Sequence, residues 1–271
     1  MVIILEKDAL SKIEELASKR LFIHQSSSLN YLLRAILASL FIGFGVIVAF
    51  KTGNYFYLEH SPVAYPVAAF TFGIAIILIY YGGGILFTGD TFYYTYGAIR
   101  KQLGWKDVGR LWLYSYVGNL IGAVLFGLLI FATGLFKDPS VNSFIVSVAD
   151  GKTSAPTAEL FFRGILCNWL VCLAFFLPYR IKGDAAKIMV MLLLVFGFFV
   201  SGYEHSIANF VTFAVTIATQ HPDAVTLSDV MHNIIPVTFG NLIGGTLFMA
   251  FMYNYLNKPF MATDADADGK K

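Results

Sequence analysis

One short polar stretch, in an otherwise apolar part of the chain, carries the side chains best suited to chemistry. Residues 200–210 read VSGYEHSIANF and contain Glu204, His205, Ser206 and Asn209, yet long apolar runs precede and follow them. A histidine exchanges protons near neutral pH, because the ordinary pKa of imidazole is ~6.5. Ionisable side chains at the middle of a membrane are costly and by default indicate function. The stretch therefore indicates a membrane protein built around a polar break.

The composition is also that of a polytopic membrane protein. Of 271 residues, 57% are hydrophobic and only 13% are charged, and the mean hydropathy is +0.69. These values lie outside the range of soluble globular domains. Cys167 and Cys172 lie in one apolar run, which argues against a disulfide framework or a zinc site and favours packing roles. The N-terminus is charged and amphipathic and shows no cleavable signal peptide.

The apolar runs predict six membrane crossings, two of which are broken. Two apolar segments, residues 63–99 and 187–218, are too long for one straight helix across a bilayer. In the first, GGGILFTGDT occupies residues 82–91, where we expect a helix to end near Tyr81 and a short helix to restart at Asp90. The four intact spans are predicted at residues 30–50, 111–136, 158–178 and 230–256.

The segments outside the spans complete the predicted organisation. Residues 1–28 are predicted as an amphipathic helix on the membrane surface, with a plain solvated helix as the alternative. Residues 29–257 form the six-helix membrane domain, and residues 258–271 a disordered tail. Six crossings place both termini and fifteen of the nineteen basic residues on one side, which the positive-inside rule assigns to the cytoplasm. The apolar face of the first helix is predicted to comprise Leu5, Ala9, Ile13, Leu16 and Ala17.

The chain contains an internal repeat. RAILASL at residues 34–40 is echoed by RGILCNWL at residues 163–170, and YVGNLIGAVLFG at residues 116–127 by TFGNLIGGTLFM at residues 238–249. One broken segment lies between the members of each pair. Because each unit makes three crossings, the second unit inserts upside down, and paired broken helices in an inverted repeat mark a transport site. The predicted units are residues 30–136 and 158–257.

These motifs resemble those of the formate/nitrite transporter family. GGGILFTGDT resembles the first family signature, GILCNWLVCLA at residues 164–174 the second, GYEHSIANF at residues 202–210 the central histidine motif, and IIPVTFGNLIGG at residues 234–245 the last span. The resemblance covers residues 25–257. One departure is Ile85, where the family often has an acidic residue.

The resemblance implies an all-α fold of six transmembrane helices in two inverted repeats, with an aquaporin-like pore in each subunit of a homopentamer. It implies transport of small monovalent anions through the cell membrane, with no cofactor, no metal and no catalytic residues. By motif position, the substrate pathway and proton donor fall on His205, Thr88, Asn168 and Lys152. The constrictions fall on Phe72, Ile76, Leu86, Phe87 and Phe198. Structural support falls on Glu204, Asn119 and Asn241.

Elementary physics gives these residues distinct tasks. An anion loses most of its hydration in an apolar constriction, which is costly. Positive potential from Lys152 would concentrate the anion at the mouth of the pore. A proton from His205 would convert the anion to a neutral acid that crosses apolar rings, and Thr88 and Asn168 would donate hydrogen bonds to its oxygens.

Plainer structural alternatives remain open for each assignment. His205 could be bonded to a neighbouring carbonyl, Lys152 could be a solvated loop residue, and Asn168 could join helices. The phenylalanines could be ordinary packing residues. For Glu204, a structural role is favoured, such as accepting hydrogen bonds from backbone amides freed by the break.

Formate is the expected substrate, and nitrite, hydrosulfide, lactate and acetate are the alternatives within the family. Both a passive channel and proton-linked transport are compatible with the motifs. A neutral-solute channel of the aquaporin type is disfavoured, because the Asn-Pro-Ala pair is absent. A membrane enzyme or haem protein is disfavoured because only one of the five histidines lies inside a predicted span, and no nucleic-acid partner is expected. The five histidines are His24, His60, His205, His221 and His232.

Overall fold

The computed structural model describes residues 6–219 and 225–258, and all regular structure in these residues is helical. Helix α1, Lys7–Ser26, is followed directly by the first long span, α2, Ser28–Leu58. Ser27 lies between the two helices. Its hydroxyl accepts a hydrogen bond from the backbone amide of Asn30 at 3.2 Å and so caps the N-terminus of α2.

Nine further helices complete the bundle in the described residues. The first broken segment comprises α3, Ala64–Thr71, α4, Ile74–Gly82, and α5, Phe87–Ile99. It is followed by α6, Trp105–Thr133, α7, Pro139–Ser154, and α8, Thr157–Phe176. The second broken segment comprises α9, Asp184–Val200, and α10, Ser206–Thr219. The last span is α11, Leu227–Ile243, which continues through a π-helical stretch, Gly244–Phe251.

Five helical segments of the described chain are long and apolar enough to cross a membrane. The sixth crossing is the second broken segment, in which α9 and α10 are each too short to span a bilayer alone. The six-span all-α prediction is thereby confirmed. The five segments are Ser28–Leu58, Ala64–Gly82, Trp105–Thr133, Thr157–Arg180 and Leu227–Lys258.

Both predicted breaks are present, and a glycine ends the incoming helix at each. Gly83 has φ of 73° and Gly202 has φ of 71°, in the left-handed region that glycine adopts without strain. After the first break the chain restarts at Phe87 rather than at the predicted Asp90. An additional short turn, at residues 72–73, separates α3 from α4 and was not predicted.

Helix α1 packs against protein rather than lying only on the membrane surface. Ala9, Ile13 and Ala17 are fully buried or nearly so, and α1 contacts α5 and α2. The predicted apolar face is therefore the face that packs, although Leu5 lies outside the described residues. The predicted disordered tail, residues 258–271, lies outside them as well, apart from its first residue.

The predicted polar connection between the third and fourth spans is a helix, α7. The carboxylate of Asp138 caps it by accepting from the backbone amide of Ser140 at 2.8 Å, and Pro139 occupies its first turn. The side chain of Asn54, near the end of α2, donates to the carbonyl of Ser140 at 2.6 Å. Since α1 adjoins the start of α2 and α7 adjoins its end, they lie at opposite ends of the bundle, which we call the α1 face and the α7 face.

Candidate functional site

Asn119 on α6 holds the first break in place. Its side-chain oxygen accepts a hydrogen bond from the backbone amide of Phe87 at 2.9 Å. Its amide nitrogen donates to the carbonyls of Ala35 at 2.7 Å and Ile85 at 3.0 Å. One buried side chain thus satisfies two backbone groups of the break, the amide of Phe87 and the carbonyl of Ile85, and ties them to α2 through Ala35.

Asn241 on α11 does the same for the second break. Its side-chain oxygen accepts from the backbone amide of Ser206 at 2.9 Å. Its amide nitrogen donates to the carbonyls of Gly164 at 2.8 Å and Glu204 at 3.0 Å. The two breaks are therefore built alike, and the GNLIG motif that recurs in the sequence supplies the equivalent asparagine in each half.

His205 lies where the two breaks meet. Its Nε2 atom is 2.9 Å from the hydroxyl of Thr88 on α5, and its Nδ1 atom accepts from the backbone amide of Ala208 at 3.0 Å. A neutral imidazole has one donor and one acceptor nitrogen, so this arrangement assigns the proton to Nε2 and makes Thr88 its acceptor. The hydrogen bond joins two residues that are 117 positions apart in the chain.

Two phenylalanines form an aromatic constriction beside His205. The ring of Phe198 stacks on the imidazole, with centroids 6.1 Å apart and planes inclined by 23°. The ring of Phe72 meets Phe198 edge-on at 6.1 Å and 85°. These three side chains separate a cavity of about 30 Å³ on the α7 side from a central cavity of about 20 Å³, because they line both.

The central cavity is almost wholly apolar. His205 is the one polar side chain among the described residues that line it. Its volume of about 20 Å³ is little more than one water molecule needs. A molecule that enters it must therefore leave nearly all of its hydration behind. The apolar lining includes Ile42, Phe72, Ile76, Leu86, Phe175 and Phe198.

A third and larger cavity, of about 210 Å³, opens on the α1 side. It shares Ile79 and Phe175 with the central cavity, so these two side chains form the inner constriction. The three cavities succeed one another along α2, where Phe50, Ile42 and Arg34 line them in turn. Phe50 lies sixteen positions after Arg34 on this helix, so the path runs for about 24 Å through the bundle.

Lys152 lies at the α7 end of this path. It is placed near the end of α7 rather than in the predicted loop, and its side chain lines the α7-side cavity. Its ammonium group donates to the carboxylate of Glu204 at 2.9 Å, and the two side chains are only 15% and 4% exposed. Burial by itself lowers the pKa of Lys152, but the adjacent Glu204 carboxylate outweighs burial and raises the pKa above its ordinary value.

Glu204 is held by two side-chain amides as well as by Lys152. Its Oε2 atom accepts from Asn209 at 2.5 Å and from Asn233 at 3.5 Å. The carboxylate therefore bonds side chains, not the freed backbone amides that we expected it to bond. Glu204 thus holds the ammonium group of Lys152 beside the α7-side cavity, and its carboxylate bonds Lys152 and the two asparagines rather than the adjacent His205.

Phe87 is a predicted constriction residue that the structure places elsewhere. Its ring packs against Tyr116 at 4.8 Å, in an apolar groove on the outside of the bundle. Leu86, one residue earlier, lines the central cavity. Leu86 is the extended N-cap residue of α5, with φ of −110° and ψ of 122°, whereas Phe87 is the first helical residue. The two side chains therefore point in different directions, and only that of Leu86 faces the path.

Asn168 also lies outside the path and joins helices. Its amide nitrogen is within hydrogen-bonding distance of the carbonyl of Thr88 at 3.1 Å, the hydroxyl of Thr91 at 2.9 Å and the carbonyl of Asn241 at 2.6 Å. The side chain is completely buried and lines none of the three cavities. The structural alternative is therefore the better description, and Asn168 supports the first turn of α5, which carries Thr88.

A buried ion pair that the motifs did not predict joins α1 to the first break. The guanidinium of Arg20 pairs with the carboxylate of Asp90, and the hydroxyl of Tyr31 also donates to Asp90 at 3.3 Å. One feature of the sequence does indicate that Arg20 is buried. It follows Ile13 by seven residues and therefore lies on the packed face of α1. No group of three or more His, Cys, Asp or Glu side chains that could hold a metal occurs in the described residues.

Comparisons with known proteins agree on one family. The profile of the family described as "Formate/nitrite transporter" matches residues 7–255. A Bacillus subtilis protein named "Uncharacterized transporter YwcJ" is 57% identical over 253 residues, which cover 93% of this chain and 99% of that protein. The Escherichia coli "Nitrite transporter NirC" is 36% identical over 248 residues, with 92% and 91% coverage.

Solved structures show the same fold. A chain titled "FNT family ion channel" superposes with a TM-score of 0.86 at 35% identity, covering 92% of this chain and 99% of that one. A chain titled "Pentameric formate channel with formate bound" gives a TM-score of 0.71 at 26% identity, with 83% and 95% coverage.

Proposed function

Since this chain belongs to the formate/nitrite transporter family of anion channels and transporters, we propose that it passes formate through the three cavities and that a proton at His205 accompanies the passage. Formate is the substrate named for one structural neighbour. Its small size suits a central cavity of about 20 Å³.

The observation that carries the proposal is the lining of the central cavity. An anion that enters between Phe72 and Phe198 meets apolar side chains on every side except for His205. Stripping a charge of water in such surroundings costs many kcal/mol, whereas a neutral acid pays far less. His205 is placed to relay that proton. A proton taken up from water makes the imidazole a cation, which passes the proton to the anion and returns to the neutral form whose Nε2–H points to Thr88 at the same constriction.

Lys152 is paired with Glu204, but only the Lys152 end of the pair lines the α7-side cavity, so the pair presents its positive end to the anion. Lys152 lines the same cavity as His205, and the buried salt bridge to Glu204 keeps it protonated and in place. Buried charges act through a low local dielectric and are screened little by salt. Attraction at the α7 mouth and protonation at the aromatic constriction are then successive steps along one path.

The orientation and assembly follow from charge distribution and from the structural neighbour. We propose that both termini lie in the cytoplasm and the α7 face outside, because the α1 face carries most of the basic residues. The protein is a multi-pass protein of the cell membrane. Because one neighbour is titled as a pentamer, a homopentamer with one path in each subunit is the proposed assembly.

Nitrite is the second candidate substrate, and one observation favours it. The chain is 36% identical to a nitrite transporter but 26% identical to the formate channel of known structure. Formate and nitrite are both bent triatomic frameworks of heavy atoms with a single negative charge, so the central cavity does not discriminate between them by size.

The decisive measurement is flux into proteoliposomes at several pH values with formate, nitrite, hydrosulfide and lactate. We expect wild-type formate flux to rise toward acidic pH, and the His205→Asn variant to lose most of that dependence. The matched control is His232→Asn, because His232 bonds the carbonyl of Ala155 and lies outside the path. An identical pH response in wild type and His205→Asn would remove His205 from the mechanism, and larger nitrite than formate flux would reassign the substrate.

The role of Lys152 is tested separately by measuring how formate uptake depends on formate concentration. In the Lys152→Ala variant we expect uptake to fall more at low substrate concentration than at saturation, because attraction raises local concentration. Lys137→Ala, an exposed lysine on the same face, is the control and should leave the curve unchanged. An unaltered concentration dependence in Lys152→Ala would contradict the attraction step.

A further inference from the structure

We propose that the α1-side cavity is a second anion-binding site, with Arg34 as its principal ligand, for a small monocarboxylate or another compact monovalent oxyanion. The proposal rests on the proposed function, because the anion held there is one that enters or leaves the central cavity. It adds a site at the opposite end of the path from Lys152, with a principal ligand, Arg34, that the family motifs do not include.

The charge of the cavity wall is the first observation. Lys19, Arg20 and Arg34 line the cavity, and none of its described lining residues is Asp or Glu. Arg20 is neutralised by Asp90, which lies behind the wall. In residues 6–219 and 225–258, neither Lys19 nor Arg34 forms a salt bridge to a carboxylate. The cavity therefore retains the charge of Arg34 without a counter-ion, while Lys19 interacts with Glu15 only beyond salt-bridge distance.

Two hydrogen bonds hold the guanidinium of Arg34 in position and leave its other N–H donors for a ligand. Its Nε atom donates to the side-chain oxygen of Asn30 at 2.9 Å, and its Nη1 atom donates to the carbonyl of Gly83 at 3.3 Å. A guanidinium has five N–H donors in a fixed fork, which matches the two oxygens of a carboxylate. The two neutral acceptors fix the fork without cancelling its charge, which leaves the remaining donors for an anion.

The other half of the inverted repeat shows that this arrangement is specific to the first half. Arg163 occupies the position equivalent to Arg34, since RGILCNWL echoes RAILASL. Arg163 forms a salt bridge of 2.5 Å to Glu159, four residues earlier on the same helix. Four residues before Arg34 stands Asn30, which is a neutral acceptor. Hence Arg34 has no carboxylate partner in the cavity, while its counterpart Arg163 is paired with Glu159.

The backbone at the first break makes room for the guanidinium. Gly83 has φ of 73°, and a Cβ atom added there would lie 3.2 Å from Nη1 of Arg34. A larger residue would therefore both strain the break and crowd the arginine. The same glycine that ends α4 exposes the carbonyl to which Arg34 is anchored.

The α1-side cavity is much larger than the central cavity, so binding in the first is distinguishable from passage through the second. Its volume is about 210 Å³, against about 20 Å³ for the central cavity. An anion that is too large for the central cavity, or one that never becomes a neutral acid, is expected to bind beside Arg34 without crossing. Methanesulfonate is such a probe, because a sulfonate stays ionised throughout the ordinary pH range.

The test measures inhibition of formate flux by methanesulfonate added to one face at a time, in membrane vesicles of both orientations. Labelling of a Ser11→Cys variant, on the exposed side of α1, with an impermeant maleimide identifies the accessible face. We expect inhibition from the α1 face and much weaker inhibition from the α7 face. Arg34→Gln should raise the inhibitory concentration by about tenfold or more, the scale of a lost charge-assisted hydrogen bond, and Arg34→Lys should restore part of it.

Arg163→Gln is the matched control. Methanesulfonate should inhibit this variant as it inhibits wild type, because the charge of Arg163 is already paired with Glu159. Equal inhibition from both faces, or an unchanged inhibitory concentration in Arg34→Gln, would overturn the site. The proposed function fails separately, if wild-type vesicles show no formate flux. Calorimetric titration of the purified protein with methanesulfonate then still decides the site, since binding that is identical in wild type and Arg34→Gln, or absent from both, contradicts it.

Discussion

The salt bridge between Lys152 and Glu204 gives the sharpest prediction, because its two charges are nearly buried and have different proposed roles. The variant Glu204→Gln removes the negative charge but keeps an oxygen that accepts from Asn209. Lys152 is then left as a cation whose side chain is 15% exposed and has no counter-ion within reach. Removing one partner of a buried pair typically costs about 3–5 kcal/mol, and we expect a loss of that size in the free energy of unfolding.

The double variant Lys152→Met/Glu204→Gln separates stability from transport. Replacing both members of a buried pair is often neutral for stability, so most of the lost free energy should return. Formate uptake at low concentration should not return, because the attracting charge is gone. Reversible unfolding in detergent measures the stability, and proteoliposome flux measures the uptake.

Two results would refute this reasoning. A stability loss below about 1 kcal/mol in Glu204→Gln would mean that Lys152 is as well solvated as a surface lysine. Full uptake at low concentration in the double variant would mean that the cation at the α7 mouth does not attract the substrate. The conservative variant Glu204→Asp is the control for shape, because it retains the charge.

Three further predictions concern the constriction and the breaks. Phe198→Ala should widen the aromatic constriction against Phe72 and raise the ratio of lactate to formate flux, and an unchanged ratio would place the size filter elsewhere. Asn241→Ala leaves two buried backbone groups of the break without partners, the amide of Ser206 and the carbonyl of Glu204, at about 1–3 kcal/mol each, so the unfolding free energy should fall by about 2 kcal/mol or more. Gly83→Ala should cost about 1–2 kcal/mol through its left-handed φ, whereas Gly109→Ala, with no neighbour within 4 Å, should leave the unfolding free energy unchanged or higher.

The breaks and the repeat could be predicted from the sequence because they depend on local features. A hydrophobic run of known length predicts a span, and a glycine within it predicts an interruption. The placement of His205 beside Thr88 was also within reach, since an inverted repeat brings its two breaks together. The start of α5 was misplaced by three residues, because Phe87 is capped by the side chain of Asn119, 32 positions away.

The residues that face the path could not be assigned in the same way. Leu86 and Phe87 are adjacent, similar in character and both within the motif, yet only Leu86 lines the central cavity. Their directions depend on the turn at which α5 restarts, which other helices determine. Ile79 on α4 and Phe175 on α8 form the inner constriction only because the fold brings both side chains to the same two cavities, and no motif marks either residue.

The sequence by itself determined the membrane class, the two breaks, the duplication and the central histidine, because periodicity and glycine conformation act within a few residues. The tertiary structure decided which charges are paired. Lys152 meets Glu204 across 52 positions, and Arg20 meets Asp90 across 70. Composition counts all these groups alike, whereas the free energy of a charge depends on its distance to a partner and on its exposure to water, and only packing defines both.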